Sequence, residues 1–313
     1  MEVMTNEKIK QDILECFQRL FRVTIRETEA INRGWLNLKW KVTTDSGQFL
    51  IKQYNKGRFK LYSNEELLIA FVQQNRLNAE GIACPRLMPY GEEFLLESDN
   101  GERYLVMEFC EGDVVPPGQL TSNQMYQLGK TTGKMHQLLN DGRLEAKAYP
   151  EFKPPSPKER LMYWRNTLDE VNDEGKTHLL SIVESQLRTT EYITFNDFNL
   201  HEWGWAHRDL WVDNLLFNGN NLQAIIDFDR MKFDYPQLDV ARAVISGALD
   251  QGALNLSAAH AFIEGYREEK QVTQDYLTRH CAYCGTWRVH GGSILKWIRR
   301  AVRHFDFQKK WLG

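Results

Sequence analysis

Residues 206–217 read Ala206-His207-Arg208-Asp209-Leu210-Trp211-Val212-Asp213-Asn214-Leu215-Leu216-Phe217, and Asn218-Gly219-Asn220-Asn221 and Leu222-Gln223-Ala224-Ile225-Ile226-Asp227-Phe228-Asp229 follow. Two short apolar runs flank an Asn/Gly turn, the pattern of a β-hairpin over residues 215–227. A hairpin returns its ends to one place, so Asn214 and Asp227 are expected side by side, with Asp209 on the loop just before them. A carboxylate and an amide oxygen are hard ligands that suit Mg2+, which shares its remaining positions with water and phosphate. Asp209 is then left to accept a proton from an attacking hydroxyl. Asp and Asn also occur beside hairpins as plain turn formers, but all three at these spacings favour chemistry.

Outward from this stretch the chain changes character. Trp35 to Trp40, Lys41 to Thr44 and Gln48 to Lys52 are β-rich runs, and Asp45-Ser46-Gly47 is turn chemistry, so a hairpin ending in Lys52 is expected. Ser63-Asn64-Glu65-Glu66 has the capping-box pattern ahead of an apolar run, which predicts a helix from about Ser63 to near Gly81. Arg103 to Phe109 reads as a further strand, and Glu111-Gly112-Asp113 with Pro116-Pro117-Gly118 breaks the chain. Beyond that break, Asn123 to Leu139 is amphipathic with helical period, residues 141–158 hold four of the nine prolines, and helical stretches run to about Thr194 and again over the last sixty residues. A β-rich lobe, a hinge and a helical lobe suit a ligand held in the cleft between the lobes.

The His-x-Asp-x4-Asn hairpin with its closing Asp resembles the catalytic segment of the protein-kinase-like phosphotransferases. It is most similar to the branch that holds aminoglycoside phosphotransferases, choline kinases and bacterial homoserine kinases, with the related spore-coat kinase-like proteins. Gly34-Trp35-Leu36-Asn37 and the run to Lys52 resemble that branch's first hairpin and phosphate-contacting lysine. Leu105 to Gly112 resembles its hinge, Leu128-Gly129 to Met135-His136 its Leu-His helix, and Tyr235 to Ala241 its downstream Asp-Leu-Ala element.

The resemblance implies an α+β, two-lobed protein-kinase-like fold: a nucleotide-binding lobe over 1–107, a hinge over 108–118, and a mainly helical catalytic and substrate lobe over 119–313. It implies transfer of the γ-phosphoryl group of ATP, with Mg2+, to a small-molecule hydroxyl. Asp209 is the implied base, Asn214 and Asp227 hold the magnesium, and Lys52 contacts the α/β-phosphates. Adenine would lie on the backbone of Glu108 and Cys110. The usual partner of the lysine is a helix glutamate, here Glu66 or Glu65, and GTP is an open alternative to ATP. His207 is expected to brace backbone, and Asp239 to hydrogen-bond the catalytic loop.

Trp211, Asp229 and Trp287 are candidate acceptor contacts, with a second metal ligand as the alternative for Asp229, and the wider set of Trp203, Trp205 and Trp297 raises an aromatic cage for a cation, with core packing as the alternative. Choline or homoserine are the favoured acceptors and an aminoglycoside is possible. A catalytically weak coat-type relative is the alternative from another class. Two departures border the acceptor side: Arg208 stands where the branch has Gly, and Trp211 where it often has His. No Gly-x-Gly-x-x-Gly loop is present.

Composition bounds the rest. With 39 Lys+Arg against 42 Asp+Glu among 313 residues, the net charge of −3 argues against a dedicated nucleic-acid binder. No apolar run approaches the length of a membrane span, and the polar start lacks the apolar core of a signal peptide. Five scattered cysteines read as reduced thiols of a cytoplasmic protein. Cys281-Ala282-Tyr283-Cys284 with His280 and His290 invites a zinc reading, but no second Cys pair exists to complete it.

Overall fold

The structure is a computed structural model that describes residues 5–32, 37–195, 200, 202–250, 253–273, 276–277 and 280. It divides into two compact units, Met1–Gly112 with Gln223–Met231, and Asp113–Leu222 with Lys232–Gly313. Lobes over 1–107 and 119–313 were expected, so the difference is that Gln223–Met231 packs with the first unit. Ile225 donates its N–H to Ala83 O at 2.8 Å, which ties that segment to the first unit's backbone.

The first unit opens with α1 (Asn6–Phe21), a helix that the strand-dominated reading of this region did not anticipate. Its cause is legible afterwards. Thr5 caps it by accepting from the Lys8 amide, Ile13, Cys16 and Phe17 recur at helical spacing, and Arg22 ends it in a left-handed conformation (φ 54°) with its N–H on Gln18 O. The strands β1 (Ile25–Ala30), β2 (Lys39–Thr44), β3 (Gly47–Gln53), β4 (Leu96–Glu97) and β5 (Arg103–Glu108) form one sheet in the order β1-β2-β3-β5-β4, with every pairing antiparallel. Side chains alternate across such a sheet. Trp40, Val42, Ile51, Tyr104 and Val106 therefore share one face and close on Ile13, Cys16 and Phe17 of α1. Burial of Phe17 or Ile13 is worth roughly 1.5–3 kcal/mol each.

The register places Lys39 opposite Lys52, Lys41 opposite Leu50, Leu50 opposite Met107 and Lys52 opposite Leu105, so these six share the other face. Between β3 and β4 lie the short α2 (Lys56–Phe59) and α3 (Asn64–Ala79), whose cap is the Ser63 hydroxyl on the Glu66 amide.

In the second unit, α4 (Ser122–Leu139) starts on a full capping box between Thr121 and Gln124. No helix or strand interrupts residues 140–156. Then come α5 (Pro157–Asp173) and α6 (Leu180–Phe195), which enclose Trp164, Val171, Leu179 and Val183. The rest is β6 (Gly204–Ala206), β7 (Leu215–Asn218), β8 (Asn221–Ile225), β9 (Lys232–Asp234), α7 (Gln237–Ala248), β10 (Leu249–Asp250), β11 (Ala253–Leu254) and α8 (Leu256–Glu269). β6 pairs with β9, and β7 with β8 in the expected hairpin, within which the chain leaves the second unit for the first. α4 and α8 approach at glycines: a Cβ on Gly129 would lie 2.0 Å from Phe262 O, and one on Gly265 2.2 Å from Tyr126 O. Among the described residues no helix is long and apolar enough to cross a membrane.

Candidate active site

In the first unit the chemistry gathers on Lys52. Its ammonium lies 2.7 Å from Asp227 Oδ1 and 2.5 Å from Asp229 Oδ2, and its side chain is only 5% exposed. Burial works against the charge, but the two carboxylates outweigh it and hold the Lys52 pKa above the ordinary lysine value. The ammonium also stands over the Tyr54 ring, 5.1 Å from its centre. Burial and the neighbouring Asp229 and Asp227 push the Tyr54 phenol well up.

Asp227 has a left-handed backbone (φ 68°, ψ 59°), which an L-residue adopts at a cost. The turn it makes sends both carboxylates to one lysine. Asp227 uses Oδ1 on Lys52, and its side chain is 31% exposed, whereas Asp229 is 6% exposed. Asp229, read from the sequence as an acceptor contact, is thus buried against Lys52. Glu66, read as the lysine's partner, sits in the first turn of α3, where its amide takes the Ser63 cap. Across the β2–β3 pair lies Lys39, whose pKa burial and the neighbouring Lys52 hold below the ordinary value against the pull of Asp227 and Asp229.

The hinge segment belongs to the same unit. Glu108 gives its N–H to Arg86 O and receives the Arg86 guanidinium on Oε1 through two bonds of 2.7 and 2.9 Å. Cys110 is half-buried, and burial pushes its thiol up to about 11. Cys16, Cys84 and Cys110 are free thiols.

In the second unit a loop between β6 and β7 carries the motif. Asp239, at the start of α7, is fully buried and accepts from four groups: His207 N–H at 2.7 Å, Arg208 N–H at 2.8 Å, His136 Nε2 at 3.2 Å and Arg242 Nη1 at 3.0 Å. Burial opposes its ionisation, but His136, Arg242 and His207 outweigh that and hold the carboxyl below the usual range. His136 closes the network with Nδ1 3.0 Å from the Tyr266 hydroxyl. His207 accepts the Asp209 N–H on Nδ1 at 3.2 Å, so its imidazole spans the loop it belongs to. Asn214 then donates from Nδ2 to Asp209 O at 2.8 Å and Oδ2 at 3.2 Å. Those bonds leave the Asn214 amide oxygen, a hard donor, for another partner.

Arg208 shows why glycine suits its position: φ is 67°, in the left-handed region. The residue is held there by its N–H on Asp239 and by an ion pair of Nε with Asp234 Oδ2 at 2.5 Å. Burial pushes the Asp234 carboxyl up in spite of Arg208 and Arg242. Sequence reading named neither Asp234 nor Tyr54, and neither carries a motif. Lys39 was findable, because the Asp45-Ser46 turn sets the register that puts it opposite Lys52.

The aromatic candidates separate. Trp205 is a core residue of β6 with Nε1 on Glu145 O at 3.1 Å, so the cage role offered for it gives way to packing. Trp203 is half-exposed beside Tyr149. Trp211 is half-buried in the loop between β6 and β7, its N–H on Asp209 O. Trp287, Trp297, residues 33–36 and the Cys281–Cys284 and His290 part of the zinc reading lie outside the described residues.

Comparison with known proteins gives the family and the fold. The sequence pattern of the phosphotransferase enzyme family matches residues 27–272. A homoserine kinase of Rhizobium meliloti (strain 1021) is 24% identical over 273 residues, which is 86% of this chain and 78% of that one. Among solved structures, an amicoumacin kinase in complex with AMP-PNP, Ca2+ and Ami superposes with a TM-score of 0.58 at 14% identity over 96% of each chain. A microcompartment-associated aminopropanol kinase does so with 0.56 at 14% identity, over 93% of this chain and 95% of that one. These likenesses establish the protein-kinase-like fold.

Proposed function

This chain belongs to the phosphotransferase enzyme family and is a small-molecule kinase, and we propose that it moves the γ-phosphoryl group of ATP to the hydroxyl of a small amino alcohol, homoserine or a molecule like it. The observation that carries the reading is the catalytic loop, in which Asp239 holds two successive amides and Asn214 holds Asp209. A carboxylate fixed by its surroundings is what a general base needs. The choice of acceptor draws on the named relatives, a homoserine kinase and an aminopropanol kinase, whose substrates pair a hydroxyl with an amine.

In this reading Asp209 takes the acceptor proton as the acceptor oxygen bonds to the γ-phosphorus and the bond to the ADP oxygen breaks. Lys52 holds the α/β-phosphates, and Asp229 and Tyr54 keep it charged and in place. The carbonyl of Glu108 and the N–H of Cys110 take the adenine edge. Asn214 Oδ1 and Asp227 Oδ2 are hard oxygen donors that fit magnesium, which supplies charge neutralisation on the phosphates. His207 and Asp239 are positioning residues that fix the backbone before Asp209. The cytoplasm, which supplies ATP and keeps Cys16, Cys84 and Cys110 reduced, is the compartment we assign.

Acceptor-dependent ADP release over a panel of homoserine, choline, ethanolamine, 1-amino-2-propanol and an aminoglycoside tests this. One amino alcohol should raise release well above the rate without acceptor. A protein that binds Mg-ATP yet shows no rise with any amino alcohol would overturn the acceptor class.

A further inference from the structure

We propose that Lys39 is a second phosphate-binding lysine, reaching the nucleotide's phosphate chain from β2 beside Lys52. The inference rests on the ATP reading above and concerns a residue that reading does not use.

Its basis is the register. Lys39 and Lys52 are directly opposed across β2 and β3, so both side chains leave the same face of the sheet. Gln53 N–H donates to Leu38 O at 2.8 Å, which makes Leu38/Gln53 the hydrogen-bonded pair and Lys39/Lys52 the neighbouring non-hydrogen-bonded one, where side chains stand closest. Two like charges opposed in this way destabilise a sheet unless anions lie between or beside them. Asp227 and Asp229 supply part of that compensation, since each contacts Lys52 and each draws on Lys39.

Charge counting then decides what Lys39 is for. Lys52 with its two carboxylates carries one positive charge against two negative, a local balance that repels a polyphosphate. Lys39 offsets that excess from the neighbouring strand, with Arg58 close enough to act on it as well. Two residues along the same strand, the Lys41 ammonium meets Glu111 at 3.1 Å and the Phe109 ring at 4.3 Å.

The chemistry recognised is a di- or triphosphate chain, not the base or the sugar. Calorimetric titration of the wild type, Lys39→Gln, Lys39→Arg and Lys41→Gln with Mg-ATP, Mg-ADP and adenosine separates the contributions. Lys39→Gln should weaken Mg-ATP by about tenfold or more, the scale of one charge-assisted hydrogen bond, and leave adenosine unchanged. Lys39→Arg should recover most of the loss, and Lys41→Gln should keep the wild-type ratio of the two affinities. Amine acetylation of the wild type gives the same answer without a substitution: Mg-ATP should shield Lys39 and adenosine should not. Wild-type affinity for Mg-ATP in Lys39→Gln, equal losses for ATP and adenosine, or Lys39 acetylation unchanged by bound Mg-ATP would each overturn the proposal. A wild type that binds no Mg-ATP defeats the nucleotide reading itself.

Discussion

Arg208→Gly sets two effects of opposite sign against each other. Glycine would relieve the left-handed backbone at φ 67°, a gain of roughly 1–2 kcal/mol, and would lose roughly 0.5–1 kcal/mol to the greater freedom of the unfolded chain. What remains is the ion pair with Asp234. Removing one member of a buried pair costs about 3–5 kcal/mol. The lower end applies, because the Arg208 side chain is 24% exposed and Arg242 still lies near the 2%-exposed Asp234. The net expectation is a loss of about 1.5–3 kcal/mol at neutral pH, or roughly 3–12 °C in Tm for a domain of this size.

The loss has a pH signature. Burial already holds the Asp234 carboxyl above its ordinary value, and without Arg208 it moves higher still. A carboxyl raised in the folded state carries no penalty below its unfolded pKa of about 3.9, and the full penalty once pH passes its folded value. The gap between variant and wild type should therefore be small near pH 4–5 and widest near pH 8. Asp234→Asn added to Arg208→Gly should close most of it. Urea denaturation at three pH values is the assay. An Arg208→Gly protein as stable as wild type, with no pH trend, would show that backbone strain and not the ion pair governs this loop.

Gly129→Ala should destabilise, although alanine is the better helix former by about 1 kcal/mol, because its Cβ would meet a backbone oxygen of α8 that cannot rotate away. A lower Tm is expected, and a raised one would contradict the close helix approach. His136→Leu removes one of the donors on buried Asp239 and should cost about 2 kcal/mol in stability with a fall in kcat and little change in the KM for ATP; a selective rise in that KM would point elsewhere. Asp239→Asn should be destabilised at neutral pH by a margin that narrows as pH falls below about 4, since a carboxyl depressed by folding contributes its stability only above that range. Acid titrations followed by circular dichroism check this.

The elements that local sequence determines were legible in it. The β2–β3 hairpin with its Asp45-Ser46 turn, the Ser63-capped α3, the amphipathic α4 and the Asn/Gly hairpin of the motif depend on contacts a few residues apart, and each formed as its pattern predicted. α1 also had its pattern, in Ile13, Cys16 and Phe17, but the reading stopped at the strands that bury it. What no local pattern carries is the partner of a charge. Asp227 and Asp229 reach Lys52 across some 175 residues, and Asp234 reaches Arg208 only because β9 pairs with β6. The motif marked Arg208 as a departure, but its left-handed backbone and its buried partner are properties of the folded loop.

The division of labour between two aspartates tests the account most directly. Mg-ATP titration and single-turnover transfer, run on Asp209→Asn and Asp227→Asn with the acceptor that the panel identifies, read binding and chemistry apart. Asp209→Asn keeps the shape of the loop and should bind Mg-ATP as the wild type does, while transfer falls by about 10²–10⁴-fold, the usual scale of a general base. Asp227→Asn should lose both, because it weakens the hold on magnesium and on Lys52 together. Transfer near the wild-type rate in Asp209→Asn, or a loss of Mg-ATP binding there as deep as in Asp227→Asn, would contradict the roles assigned to both residues.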